Sequence, residues 1–190
     1  MNRYEQYGLV NIKDIIPRIL LDIRYATSDN FYIRPVYSCA VAYLREPVAK
    51  ALARSQHTLD KQGLSLKVFD AYRPFSVQEL FFSYIPDPVF LKKPIRLNGL
   101  MLDGSNHSRG SAVDLTIVDA NGKELEAPTP FDEFSDRAKG GYQGGSVRSR
   151  KNRDYLKAVM MDEGFLPLES EWWHFDGPDY GSYDLLDIPL

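Results

Sequence analysis

One cysteine, Cys39, and three histidines, His57, His107 and His174, are all that a chain of 190 residues offers of those two types. A lone thiol makes no intrachain disulfide and no thiolate zinc cage. No stretch approaches the ~18 apolar residues of a membrane span. The segment from Met1 to Gly8 has no apolar run behind its one arginine of the kind a secretory signal needs. Cations are not in surplus: 23 Lys and Arg stand against 26 Asp and Glu, a formal charge of -3. No basic field therefore exists to hold nucleic acid. Glycine pairs at 140–141 and 144–145 follow no clear strand and lack the Lys-Ser/Thr of a phosphate loop, which argues against a nucleotide site. These absences point to a cytoplasmic protein with neither a nucleic acid nor a membrane as partner. They leave its oligomeric state unread. Metal or acid–base chemistry must draw on three histidines and the carboxylates.

What is present is core material, with 10 Phe, 12 Tyr and 2 Trp, enough for one compact domain over 1–190. Residues 19–25 are short, rich in aliphatic side chains and followed by Ser28-Asp29-Asn30, and read as a strand. Arg45-Glu46-Pro47 opens a helix whose apolar positions Val48, Ala49, Leu52 and Leu59 recur at helical spacing until Gly63. Residues 66–69 and 112–118 alternate as strands, the latter closing on the hairpin signal Asn121-Gly122. Residues 76–84 and 148–163 read as helices, the second ended by Gly164, and 172–175 as a strand. Between 119 and 147 glycine and proline accumulate, which predicts a long surface loop or lid. Strands mixed with helices and hairpin signals predict an α+β fold: a central antiparallel sheet flanked by helices.

Two histidines lie beside carboxylates. His107 stands in Ser105-Asn106-His107-Ser108-Arg109-Gly110, with Asp114 on the following strand, and Gly110 lets the backbone turn so that both side chains can converge. His174 closes Glu171-Trp172-Trp173-His174. Residues three apart on a strand face opposite ways, so Glu171 and His174 share a site only at a bulge or a strand end. Two His and one Asp form a three-ligand set with an open position, as in catalytic zinc sites. A zinc so held lowers the pKa of bound water from 15.7 to roughly 7, and Glu171 would then be the natural base. The same residues also read as ordinary surface hydrogen-bonding pairs, which are commoner, and spacing leaves both readings open. His57, in a helix with Arg54 and Lys61, reads as solvent-facing, and Cys39 has no histidine partner near it in sequence.

Three blocks break that tie. Residues 105–116, Asp70-Ala71-Tyr72-Arg73-Pro74 and Glu171-Trp172-Trp173-His174 together resemble the zinc-dependent D-alanyl-D-alanine dipeptidases. With Asp22 to Phe31 as a fourth block, the resemblance runs over nearly the whole chain in the same order. It implies one Zn²⁺ per chain held by His107, Asp114 and His174, with Glu171 as catalytic base and Arg73 as the group that stabilises the transition state. It further implies that Tyr25 and Asp132 hold the ammonium of a small dipeptide substrate, that Ser105 lies near its carboxylate and that Phe81 lines its small side-chain pocket. The tail from Phe175 to Leu190 and the 133–147 segment follow the family only loosely.

Three other readings compete. A D-Ala-D-Ala carboxypeptidase or murein endopeptidase would share the ligands but need an open groove. A non-haem Fe(II) oxygenase also uses two His and a carboxylate. There, however, the His and carboxylate usually lie one residue apart, whereas six residues separate His107 from Asp114, and Glu171 would have no role. A non-catalytic zinc-binding module has no use for both Glu171 and Arg73.

Overall fold

The computed structural model describes residues 3–190. In chain order the elements are β1 (Leu9–Asn11), α1 (Ile12–Ile15), β2 (Leu20–Leu21), β3 (Tyr43–Arg45), α2 (Glu46–Asp60), β4 (Ser65–Asp70), α3 (Phe75–Tyr84), β5 (Ile95–Leu97), β6 (Leu100–Asp103), β7 (Ala112–Val118), α4 (Val147–Met161), β8 (Leu166–Pro167) and β9 (His174–Asp176), with short 3-10 turns between them. The fold is α+β. Its central sheet has the order β2-β4-β7-β9-β8, and β1-β3 and β5-β6 form two small separate pairs.

The expected all-antiparallel sheet needs a correction at one edge, because β2 runs parallel to β4. The predicted strand at 19–25 shrinks to Leu20–Leu21, and the chain then turns through a 3-10 segment at Arg24–Ala26 that buries Tyr25. Likewise the strand expected at 172–175 starts only at His174, since Trp172 and Trp173 sit in the turn before it. Both long helices form where periodicity placed them. Ser146 caps α4 by accepting from the Ser149 amide. Segment 119–147 is irregular apart from one β-bridge, Val118 to Glu124, and a 3-10 turn at Asp136–Ala138.

The core lies between the sheet and the two long helices. Val113, Leu115 and Ile117 of β7 join Val48, Leu52 and Leu59 of α2 and Leu156 and Val159 of α4 in one hydrophobic cluster. Because strand side chains alternate, Asp114 and Thr116 project from the other face of the same strand. Cross-strand register does the rest. Asp114 pairs with Asp70 on one side and with His174 on the other, so three polar residues from β4, β7 and β9 stand in a row on one face.

That row depends on an irregularity in β4. Val68 pairs with Leu115 and Asp70 with Asp114, leaving Phe69 as the extra residue of a bulge. Without it Asp70 would pair with Val113 and point into the core, since a slip of one residue moves a side chain to the other face. Phe69 instead stacks on Phe131 with ring centroids 4.7 Å apart.

His107 arrives on a 3-10 turn, Asn106–Arg109, that opens with Ser105 accepting from the His107 amide and ends at Gly110 in the left-handed region (φ 68°). A Cβ at 110 would run into the Leu9 side chain. Gly110→Ala is therefore expected to cost roughly 1–3 kcal/mol from strain and overpacking, measured as a lower denaturation midpoint with an unchanged m-value.

Candidate metal centre and active site

His107 Nε2, Asp114 Oδ1 and His174 Nδ1 form a triangle with edges of 3.1, 3.0 and 3.3 Å. All three residues are buried. The outward nitrogens fix what the inward ones carry. His107 Nδ1 donates to the Ala71 carbonyl at 2.7 Å, and His174 Nε2 donates to Asp176 Oδ1 at 3.1 Å. Each neutral imidazole then presents a lone pair inward, where the Asp114 carboxylate presents another. Three electron pairs at such separations repel unless a positive charge sits among them. The edges suit ligands 2.0–2.1 Å from a tetrahedral ion, which lie ~3.3 Å apart. The donor set therefore fits a metal. The electrostatics of the three groups show the same demand. Burial alone would raise the Asp114 pKa, but the facing imidazoles hold it below the usual carboxylate range. Burial would lower His174, yet Asp114 and Asp176 raise it well above an ordinary histidine.

Glu171 meets His174 because both lie at a strand end. The His174 amide donates to the Glu171 carbonyl across a tight turn, which brings Glu171 Oε2 to 4.0 Å from His174 Nδ1. Burial, with Asp114 adding to it, pushes the Glu171 pKa up to about 7, although His174, Arg73 and Trp173 pull the other way. A carboxyl poised there both accepts and returns a proton near neutral pH.

Arg73 follows β4 and is 4% exposed. Its Nε and Nη2 both donate to Asp70 Oδ2, at 3.0 and 2.8 Å, and Nη1 donates to Gln78 Oε1 at 2.7 Å. The Tyr25 and Phe81 rings each lie 5.2 Å from its guanidinium carbon. Burial would lower its pKa, but Asp70 and the other anionic neighbours keep it charged. Asp70 also accepts from Tyr37 at 2.9 Å.

These groups line one cavity of about 390 Å³, which takes in Tyr25, Arg73, Gln78, Ser105, His107, Asp114, Asp132, Glu171, His174 and Asp176. Tyr25 donates to Asp132 Oδ1 at 3.0 Å, while Asp132 Oδ2 is buried with no partner. Burial, then the charge of Asp114, raises the Asp132 pKa well above the ordinary carboxylate value. Asp132 also adopts a left-handed backbone, φ 62°, so the chain is held strained at this residue of the cavity wall.

Eight of the nine site residues expected from the sequence thus meet in one cavity. The exception is Phe81. It is wholly buried behind Arg73 and Tyr25 and is absent from the cavity wall, because α3 turns its ring inward. Phe90, Leu91, Phe134 and Trp173 supply the apolar wall instead. His57 is exposed, as the sequence reading has it, and Cys39 is exposed too. Three residues that reading passed over are built into the site: Asp70, Gln78 and Asp176. Asp176 carried a signal, since two residues beyond His174 on a strand means the same face. Among the described residues, no helix is long and apolar enough to cross a membrane.

A buried His/Asp/His group that could hold a metal, beside a glutamate and an arginine on an α+β fold, fits a metallopeptidase. The particular family follows from sequence comparison: a family described as D-ala-D-ala dipeptidase, peptidase M15, matches residues 5–187, and the chain belongs to it. Relatives include the D-alanyl-D-alanine dipeptidase of Escherichia coli K12, 35% identical over 94% of this chain and 89% of that one. Those of Enterococcus faecium and Enterococcus faecalis V583 are 29% and 28% identical, over 97% and 96% of this chain and 99% and 93% of theirs.

Asp176 holds the outward nitrogen of a ligand, so Asp176→Ala should weaken metal affinity about 10–100-fold. Competition against a chelator measures the loss, and an unchanged affinity would show that the Asp176–His174 bond does not orient the ligand.

Proposed function

We propose that this protein is a zinc-dependent dipeptidase that hydrolyses D-alanyl-D-alanine to two D-alanines, with the whole chain acting as one catalytic domain. The observation that carries the reading is the convergence of three lone-pair-bearing ligand atoms with a protonatable glutamate beside them. His107, Asp114 and His174 would hold the zinc. When bound, it supplies Lewis acidity, polarising the scissile carbonyl and lowering the pKa of water.

The chain's own residues do the remaining work. Glu171 takes a proton from the attacking water and returns it to the leaving amine nitrogen, for which a pKa near neutrality suits it. Arg73 opposes the negative charge that develops on the carbonyl oxygen, a charge absent from the bound substrate, so its contribution falls on the rate. Asp132 and Tyr25 receive the free ammonium. The unpartnered Asp132 Oδ2 supports this: burial holds the carboxyl toward its neutral form, and an ammonium beside it would favour the ionised one. Ser105, at the cavity wall beside the turn that carries His107, is placed for the carboxylate end.

The dipeptidase reading is favoured over a carboxypeptidase of the same superfamily by that same oxygen, because an acylated amine brings it no charge. D-alanine release from D-Ala-D-Ala should therefore far exceed release from its N-acetyl form. Comparable rates would favour the carboxypeptidase.

Glu171→Ala should lower kcat about 10²–10⁴-fold with metal content unchanged, whereas His174→Ala should lose both metal and turnover. Metal analysis alongside steady-state kinetics distinguishes the two, and near-normal kcat in Glu171→Ala would remove the base assignment.

A further inference from the structure

Arg73 has five N–H groups, and its neighbours use three of them. Nε and one Nη2 proton go to Asp70, and one Nη1 proton goes to Gln78. Nη2 also lies 3.8 Å from Asp114 Oδ2, beyond hydrogen-bond distance, and the Tyr37 hydroxyl stands beside the guanidinium. Of the two protons left over, the one on Nη1 has its direction set by the Gln78 bond beside it. That bond ends on Gln78, which is fully buried on α3. The Gln78 amide is itself fixed in orientation, because Nε2 donates to the Lys92 carbonyl at 2.7 Å while Oε1 accepts from Arg73. Lys92 belongs to the segment after α3 that forms the cavity rim with Phe90 and Leu91, and its ammonium pairs with Asp103 of β6 at 2.7 Å.

The chemistry of the two anchors differs. Asp70 is charged and pairs with the guanidinium. Gln78 is neutral, so it fixes the second nitrogen without cancelling more of the positive charge that a developing oxyanion needs.

We infer that Gln78 is a positioning residue for the hydrolytic step: it aims the free Nη1 proton of Arg73 into the cavity and ties that aim to the rim segment through the Lys92 carbonyl. The inference rests on the oxyanion role given to Arg73 above. It adds a residue that no motif in the sequence singled out, and it predicts an effect on the transition state and not on substrate binding.

The test uses Gln78→Met, which keeps the volume and removes both hydrogen bonds, and Gln78→Glu, which keeps an acceptor but adds a charge. Each is to be assayed on D-Ala-D-Ala and titrated with a phosphinate analogue of that dipeptide and with D-alanine. For Gln78→Met, kcat should fall about 10²-fold, the scale of a misplaced catalytic group. KM and D-alanine affinity should stay within about threefold, and phosphinate affinity should fall by the same factor as kcat/KM. Gln78→Glu should also lose about tenfold or more in kcat, because its carboxylate offsets the guanidinium charge. In an Arg73→Ala background Gln78→Met should cost less than about threefold further, since residues acting through one group are not additive.

Wild-type kcat in either variant would overturn the inference. So would a full additional loss in the Arg73→Ala background, or a drop in phosphinate affinity matched by an equal drop for D-alanine or by lost metal, which mark a structural role. Should Gln78→Met not fold, Gln78→Leu, which also removes both hydrogen bonds, carries the same comparisons. If Arg73→Ala itself keeps turnover within about threefold, the oxyanion role of Arg73 fails first, separately from anything Gln78 does.

Discussion

Like partial charges crowded without water need a counter-charge, and the interior of this protein is arranged around that need. Two imidazole lone pairs and a carboxylate oxygen meet within 3.3 Å. The arrangement persists because each ligand is gripped from behind. Ala71 fixes the tautomer of His107, Asp176 that of His174, and the sheet register fixes Asp114. A metal ion would satisfy all three at once. Glu171 and Arg73 are buried close enough to feel Asp114, so their ionisation belongs to the same cluster.

Polar groups in that number are tolerated because they come in partnered layers. Behind the ligands stands Asp70, which accepts from Arg73 and from Tyr37. Around Arg73 lie the Tyr25 and Phe81 rings, so its charge is held between an anion and two aromatic faces. Asp132 Oδ2 breaks the pattern, being buried and unpartnered at the cavity wall.

The tail from Phe175 to Leu190 is joined to the same framework. Leu186 accepts from the Phe75 amide and donates to the Ser108 carbonyl, and Asp187 caps the start of α3 at Ser76. Tyr72 bonds to both the carbonyl and the amide of Ile188. The tail therefore braces the segments on either side of Arg73 and His107 from behind. These contacts are mostly made to backbone, which imposes little on side-chain identity.

The sequence by itself determined the parts that local physics writes down. Periodicity marks α2 and α4, alternation marks β7, and the left-handed glycine after His107 marks the end of its turn. The motif blocks carry His107, Asp114, His174, Glu171 and Arg73, which the structure brings to one cavity. Tertiary structure alone decided which face each presents. The bulge at Phe69 turns Asp70 toward the site, a strand end and not a strand interior lets Glu171 meet His174, and the inward turn of α3 withdraws Phe81 while presenting Gln78. These outcomes depend on cross-strand register and helix rotation, which arise from partners far away in the chain. No window of neighbouring residues contains them.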